Sequence, residues 1–159
     1  MKIKNIYRLA ASIIVCQLAG FIGSVFTFSS IPTWYAALEK PFFNPPNWVF
    51  SPVWITLFVL MGVSLYLVWS KGVKAEGVKT ALTLFGVQLA LNALWSIIFF
   101  GLKSPLYAFI EIVILWAVIL VTILKFYRIS KTASYLLIPY IAWVSFAAVL
   151  NFSIFLMNL

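Results

Sequence analysis

The chain has 159 residues, of which 65% are hydrophobic and 9% are charged, and its net charge is +8. Soluble domains carry about 25% charged residues, so the composition excludes a water-soluble protein and makes the bilayer the solvent of this chain. The sequence contains no His and no Asp, which excludes Ser-His-Asp catalysis and metal or haem ligation through His. We predict an all-α, polytopic membrane protein in which residues 1–159 form a single domain.

Five stretches are long and apolar enough to cross a bilayer, which takes about 20 residues. A backbone in hydrocarbon must satisfy its own hydrogen bonds, so each stretch is predicted to be a helix. Spans 1 to 5 run from Ile6 to Phe28, from Trp48 to Trp69, from Val78 to Phe100, from Pro105 to Phe126 and from Ala133 to Leu156. The first residues have the pattern of a signal peptide, but no convincing small-residue cleavage site follows, so we keep them in span 1.

The basic residues predict the orientation of the spans. Nine of the eleven cations fall in segments that alternating spans place on one side: Lys2, Lys4, Arg8, Lys71, Lys74, Lys79, Lys125, Arg128 and Lys131. Cytoplasmic segments carry an excess of Lys and Arg, so we predict a cytoplasmic amino terminus and a carboxyl terminus outside. This distribution favours contact with lipid over nucleic-acid binding as the reason for the positive charge.

The connection between spans 1 and 2 is the most distinctive segment. With the start of span 2 it reads WYAALEKPFFNPPNWVFSPVW, with four prolines and three tryptophans. Proline fixes φ and removes a backbone donor, so we predict a stiff, extended loop from Ile31 to Asn47 that could cover a cavity. Two interpretations, an interfacial aromatic belt and a cavity wall, stay open for Trp34, Tyr35 and Trp48. For Trp54, inside span 2, we favour the cavity wall.

Two spans place polar and aromatic residues on one helical face. These residues are Gln88, Asn92 and Trp95 in span 3, and Tyr140, Trp143, Ala147 and Asn151 in span 5. Polar side chains at membrane depth face protein or a cavity rather than lipid. The two faces therefore predict either interhelical hydrogen bonds or the walls of a pocket. Pro139 predicts a kink in span 5.

Two further features leave alternatives open. Glu111 lies at a depth similar to that of Trp54, Asn92 and Trp95, and it could pair with a ligand or bond to a neighbouring helix. Small residues recur four apart in Ala19-x-x-x-Gly23, Gly20-x-x-x-Ser24 and Gly86-x-x-x-Ala90. Such spacings let helices approach closely, but they are common in membrane helices and are weak evidence for a dimer.

Four motifs taken together resemble the TspO/MBR family. They are WYAALEKPFFNPPNW, PVWITLFVLMG, QLALNALWSIIFFG and IPYIAWVSFAAVLNF, and they extend in order over nearly the whole chain. Members are called tryptophan-rich sensory proteins in bacteria and translocator proteins in mitochondria. The resemblance implies a five-helix bundle, usually a homodimer, that binds porphyrins and isoquinoline-carboxamide ligands among its five helices beneath the first loop. We expect it in a bacterial cell membrane.

The resemblance also implies which residues form the ligand site. By position in the motifs they are Tyr35, Pro45, Trp48, Trp54, Asn92, Trp95, Phe99, Trp143, Phe146 and Ala147. Trp54 and Trp143 match tryptophans proposed to act in light-dependent breakdown of protoporphyrin IX. No metal or resident cofactor is implied, because the porphyrin is the ligand or the substrate.

Three hypotheses for function follow from these residues and from the resemblance. The first is a tetrapyrrole-binding membrane protein for sensing, transport or scavenging, the second is a light-driven porphyrin-degrading enzyme, and the third is a structural or partner-binding subunit with a filled core.

Animal members of the family end the last span with Tyr and then Arg, which is interpreted as a cholesterol motif. Residues 150–156 read LNFSIFL, without either residue, so sterol transport is doubtful here.

Overall fold

The computed structural model describes the backbone of residues 3–159 and the side chains of residues 5–159. Lys2 and the side chain of Lys4, two of the cations used to predict orientation, lie outside this description. The α-helices are α1 (Ile3–Ser30), α2 (Asn47–Trp69), α3 (Val78–Ser96), α4 (Pro105–Ile129), α5 (Lys131–Leu136) and α6 (Ile138–Met157). Helix accounts for 85% of the chain, and the described residues contain no strand. The prediction of an all-α fold is therefore confirmed.

Five helical segments of the described chain are long and apolar enough to cross a membrane. They are Asn5–Tyr35, Asn47–Trp69, Val78–Gly101, Pro105–Ile129 and Lys131–Met157. These segments match predicted spans 1 to 5 in number and order, and their ends lie up to seven residues beyond the predicted ones. The chain is therefore an integral membrane protein with five spans, which we number in chain order.

Span 1 is longer than predicted. The prediction of an extended loop is wrong for residues 31–37, which are helical. A π turn, Ile31–Tyr35, follows α1 directly, and helix continues through Ala37. Pro32 lies near the start of this turn, inside a continuous helix, where its missing N–H removes one hydrogen bond of the ladder and its ring crowds the preceding turn. The π turn widens the helix locally and so accommodates the proline. The irregular connection, which we call the first loop, is confined to residues 38–46.

Span 5 consists of two helices rather than one. Helix α5 ends at Leu136 and α6 begins at Ile138, with Pro139 in its first turn. The Leu137 N–H bonds to the Ser134 carbonyl at 3.1 Å, a tighter turn than α-helix makes. The interruption lies where Pro139 predicts a distortion of span 5.

The spans form a closed ring in the order 1, 2, 5, 4, 3 and back to 1. Within this ring, α2 packs extensively on α5 but only sparsely on α6. Near α5, the core of the bundle is filled by large buried side chains such as Phe85, Phe126 and Met61. Spans 2 and 5 therefore diverge from the α5 end toward the other end of the bundle, which leaves room for a cavity.

The two ends of the bundle differ in charge. At one end, the Arg8 guanidinium lies 5.5 Å from the Trp69 ring, and the Ser64 hydroxyl donates to the Ala133 carbonyl at 2.7 Å. These contacts bring the start of α1, the end of α2 and the start of α5 together. The Lys residues between α2 and α3 and the Lys and Arg residues around the junction of α4 and α5 lie at the same end. We call this the basic end, and the opposite end, which carries the first loop, the loop end.

Small residues bring helices together within the protomer. A Cβ at Gly20 would lie 2.4 Å from the Phe58 ring of α2, and a Cβ at Gly23 would lie 2.9 Å from the Ser96 hydroxyl of α3. These two members of the predicted close-packing motifs therefore serve contacts inside the bundle. The third motif differs, because a Cβ at Gly86 would meet nothing within 4 Å.

Candidate ligand-binding cavity

A cavity of about 620 Å³ lies inside the loop half of the bundle. Spans 1, 2, 3 and 5 line it, while α4 contributes none of the described lining residues. This differs from the expected pocket among all five helices, because α4 packs against α3 and α6 on their far side from the cavity. The inner wall includes Gln17, Ser24, Thr27, Tyr35, Phe50, Trp54, Asn92, Trp95, Phe99, Trp143, Ala147 and Asn151.

Helix α1 supplies a full wall that the sequence did not lead us to expect. Gln17, Gly20, Ser24 and Thr27 all line the cavity, at intervals of three and four residues that place them on one face. Small and weakly polar side chains differ little in hydropathy from the apolar residues around them, so hydrophobic periodicity does not reveal the face that they form. The recurrence of small residues along α1 is the one signal for this wall, and by itself it predicts helix packing rather than a cavity.

Aromatic rings form most of the remaining surface. Trp54 stacks on Phe58 with ring centroids 5.5 Å apart, and its edge approaches Tyr140 at 6.3 Å. Trp95 stacks on Phe99 at 5.1 Å. These are favourable aromatic geometries, so the ring planes are held before any ligand arrives.

Hydrogen bonds between α3 and α6 fix the polar side chains of the wall. The Asn92 amide donates to the Tyr140 hydroxyl at 3.1 Å. The Trp95 indole N–H donates to Asn151 Oδ1 at 3.1 Å, and Asn151 Nδ2 donates to the Pro105 carbonyl of α4 at 2.8 Å. The two faces predicted from the sequence therefore meet, and they supply both interhelical hydrogen bonds and a cavity wall.

The loop end of the cavity is closed by a roof of five side chains. Tyr35, Phe99, Phe100, Leu150 and Ile154 form one buried cluster, and all five also line the cavity. From the first loop, Leu38 and Phe43 pack onto this cluster. The Tyr35 hydroxyl donates to Asn44 of the loop at 2.9 Å.

The cavity also opens sideways between α1 and α2. Its lining includes Leu18, Phe21 and Phe28 of α1 and Ile55 of α2, and each of these is more than half exposed. The Gln17 amide donates to the Ile55 carbonyl at 3.1 Å and joins the two helices beside this opening. In a membrane the opening faces lipid, so an apolar ligand could reach the cavity from the bilayer.

The lining contains no Lys, Arg, Asp or Glu among the described residues. The described residues also hold no group of three His, Cys, Asp or Glu side chains that could bind a metal. The surface is therefore suited to stacking and to a few neutral hydrogen bonds.

Comparison with known proteins places this arrangement in a family. The family model for "TspO/MBR family" matches residues 12–157. The chain belongs to the TspO/MBR family. It is 48% identical to the tryptophan-rich protein TspO of Archaeoglobus fulgidus over 97% of this chain and 99% of that protein. It is 48% identical to the protein of the same name from Chlorobaculum tepidum, over 98% of each chain, and 39% identical to the human translocator protein, over 87% and 82% of the two chains.

Seven of the ten site residues carried over from the TspO/MBR motifs surround the cavity. They are Tyr35, Trp54, Asn92, Trp95, Phe99, Trp143 and Ala147. Their roles in binding a ligand stay predictions, as do the photochemical roles of Trp54 and Trp143.

The other three lie elsewhere. Trp48 is 74% exposed, because the first turn of α2 presents it outward, as an interfacial tryptophan would be. Pro45 lies in the first loop and Phe146 packs between Trp143 and the loop residue Phe43. Neither belongs to the lining, and in this TspO/MBR protein Phe146 stands behind the wall residue Trp143.

Two buried polar side chains of the bundle stand apart from the cavity. Gln88 is 1% exposed and Glu111 is 6% exposed, and neither side chain has a hydrogen-bond partner among the described residues. Of the two alternatives that the sequence left open for Glu111, the hydrogen bond to a neighbouring helix is therefore not formed among the described residues. Neither residue lines the cavity, so the structure does not bring Glu111 into the candidate site.

Proposed function

We propose that this protein binds flat, largely apolar aromatic ligands in the cavity, in sensing, transport or scavenging. The ligand classes are tetrapyrroles of the protoporphyrin IX type and drug-like isoquinoline carboxamides. One observation carries the proposal: three tryptophans and Tyr35 surround a volume of about 620 Å³ without a charged side chain. Ligand pockets measure about 300–1,000 Å³, and aromatic faces stack on flat rings. The cavity is also evidence against a structural subunit with a filled core.

Titration with protoporphyrin IX in lipid nanodiscs tests the proposal through quenching of tryptophan fluorescence. We expect saturable quenching, and about tenfold weaker binding by the double variant Trp54→Phe/Trp143→Phe, because each ring loses part of a stacking surface. Trp116→Phe is the matched control, since Trp116 bonds to Ser145 and lies outside the lining. Equal affinities of all three proteins would remove Trp54 and Trp143 from the site.

A second candidate function is light- and oxygen-dependent breakdown of protoporphyrin IX. The observation in its favour is that Trp54 and Trp143 border the same cavity, where either indole could donate an electron to an excited porphyrin. We expect illumination in air to give a new product absorption that Trp143→Phe abolishes. Bleaching at the rate of free porphyrin in detergent would contradict this activity.

We also propose an orientation, with the basic end and amino terminus in the cytoplasm and the loop end and carboxyl terminus outside. The excess of Lys and Arg at one end supports it. Single cysteines replacing Phe42, which is 100% exposed, and Val73, which is 49% exposed, test it. The one native cysteine, Cys16, is first replaced by Ser. A membrane-impermeant maleimide applied to whole cells should label the first and not the second, and the reverse pattern would contradict the orientation.

A homodimer is proposed from the family resemblance. The face of α3 that carries Gly86 and Ala90 is exposed in the protomer, and small residues let membrane helices pack. Cross-linking in nanodiscs should give a dimer that Gly86→Leu weakens. An unchanged yield of dimer would place the interface elsewhere.

A further inference from the structure

Asn158 follows the last turn of α6 and joins it to the first loop. Its Oδ1 accepts from the Glu39 backbone N–H at 3.0 Å, and its Nδ2 donates to the Glu39 carbonyl at 3.0 Å. The same Nδ2 donates to the Ile154 carbonyl at 2.8 Å. The side-chain amide therefore satisfies both backbone groups of one loop residue while it is anchored on its own helix.

The loop that Asn158 holds lies on the roof of the cavity. Leu38, next to Glu39, packs onto the roof cluster together with Phe43. Ile154, whose carbonyl anchors Asn158, belongs to this cluster and to the cavity lining. A displacement of the loop at Glu39 would therefore uncover side chains that form the cavity wall.

The other polar contacts of the loop lead to span 1. The Tyr35 hydroxyl donates to Asn44 at 2.9 Å, and the Lys40 ammonium lies 4.9 Å from the Tyr35 ring. Toward span 5, the loop has the apolar contact of Phe43 with Phe146 at 6.3 Å and the two hydrogen bonds of Asn158. Among the described residues, Asn158 is thus the hydrogen-bonded connection from the loop to span 5.

We propose that Asn158 is a positioning residue that latches the first loop across the roof, between spans 1 and 5, and so sets how long a ligand stays in the cavity. The control of residence time rests on the proposed function, whereas the positioning of the first loop by Asn158 does not. Losing one or two ordinary hydrogen bonds corresponds to about a three- to tenfold change in an equilibrium or a rate, so the effect is measurable without loss of the fold.

Hydrogen exchange of the loop tests the latch itself, in nanodiscs and without ligand. We expect Asn158→Ala to speed exchange in residues 38–46 about three- to tenfold. Asn158→Asp should speed it as well, because a carboxylate keeps the acceptor for the Glu39 N–H but cannot donate to the Glu39 and Ile154 carbonyls. Glu39→Ala is the matched control and should change nothing, because the latch uses backbone groups of Glu39. Equal exchange in wild type and Asn158→Ala would overturn the latch.

Release of protoporphyrin IX tests the second half. We expect Asn158→Ala to speed both binding and dissociation about threefold or more, with little change in affinity or melting temperature, a pattern that simple destabilisation does not give. Faster loop exchange with unchanged release rates would show that the ligand leaves through the side opening, and would overturn the control of residence time. Absence of porphyrin binding by the wild type would contradict the proposed function and that control, while the exchange result would still decide the latch.

Discussion

Gly62 shows what a single missing side chain does in this bundle. A Cβ at this position would lie 2.6 Å from the Cα of Ile13 on α1, and a backbone atom cannot turn aside as a side chain can. We predict that Gly62→Ala lowers the free energy of unfolding by about 1–3 kcal/mol, measured by thermal unfolding in detergent. Gly86→Ala, measured on monomeric protein, is the control, because its Cβ meets open space within the protomer and Ala is the better helix former. Equal melting temperatures of the two variants would contradict the close approach.

Asn151 connects three helices through one amide. Replacement by Leu removes the acceptor for Trp95 and the donor to the Pro105 carbonyl. We predict that Asn151→Leu costs about 1–2 kcal/mol of stability, near the upper end for polar contacts in membranes. Ser153→Ala is the control, because the Ser153 hydroxyl bonds to Val149 of the same helix.

A double-mutant cycle can isolate the Trp95 contact from the rest. In the Asn151→Leu background, Trp95→Phe should cost less than it does in the wild type. Strictly additive effects would show that this hydrogen bond contributes nothing.

Glu111 carries an ionisable group that the described residues leave without a partner. An intramembrane carboxyl is costly unless something pairs with it. We therefore predict that Glu111→Gln, which keeps the shape of the side chain, leaves the melting temperature unchanged or raises it. Glu76→Gln, at an exposed position of the basic end, is the control. A fall of several degrees for Glu111→Gln alone would show that the carboxyl makes a contact the amide cannot.

The spacing of residues along a helix predicted which side chains share a face. It did not predict whether an individual aromatic side chain points into the bundle or out of it. Asn92 and Tyr140 could be placed in facing walls, because polar groups at membrane depth must find protein partners. The outward direction of Trp48 could not be predicted. A tryptophan at a helix start suits a cavity wall and the membrane interface equally, and the packing of neighbouring helices decides between them.

At the scale of elements, the interruption before Pro139 shapes the cavity. We predict that Pro139→Ala lets α5 and α6 join into one straighter helix, because a backbone donor is restored, and that α6 then moves toward α2. The expected result is weaker binding of protoporphyrin IX with unchanged or higher thermal stability. Pro105→Ala is the control, since Pro105 opens α4, where proline costs little, and the carbonyl that Asn151 uses is retained.

Proline alone did not predict where helices end. Pro139 predicts a distortion, and span 5 is interrupted just before it, whereas Pro32 lies within a helix that continues through a π turn. The difference depends on whether the surrounding turn can widen and on what the following residues bury. Tyr35, three residues after Pro32, is 4% exposed, and this burial favours helical continuation in a way that local sequence does not reveal.

At the scale of the whole molecule, ligand binding and folding should be linked. A ligand that binds only the native state stabilises it, and this stabilisation grows with the logarithm of the ratio of ligand concentration to Kd. We predict that protoporphyrin IX raises the melting temperature of the wild type, and raises that of Trp54→Phe/Trp143→Phe less. Equal shifts in both proteins would indicate binding to the outer surface or to the detergent.

The number of spans could be predicted from the sequence, but their arrangement could not. Length and apolarity suffice to count helices. The ring order, and the exclusion of α4 from the cavity, depend on which helix faces fit together. In spans that are apolar on all sides, hydrophobic periodicity carries little of that information.

The ring order has a consequence for how the protein is made. The chain is synthesised from its amino end, so Asn92 and Trp95 enter the bilayer before Tyr140 and Asn151 exist to bond with them. Span 5 lies between spans 2 and 4, which are already inserted when it emerges. Insertion of span 5 is therefore the entry of a helix into a seam between two others, and a nascent chain stalled after span 4 would present an unsealed, polar groove to lipid and to quality-control proteases.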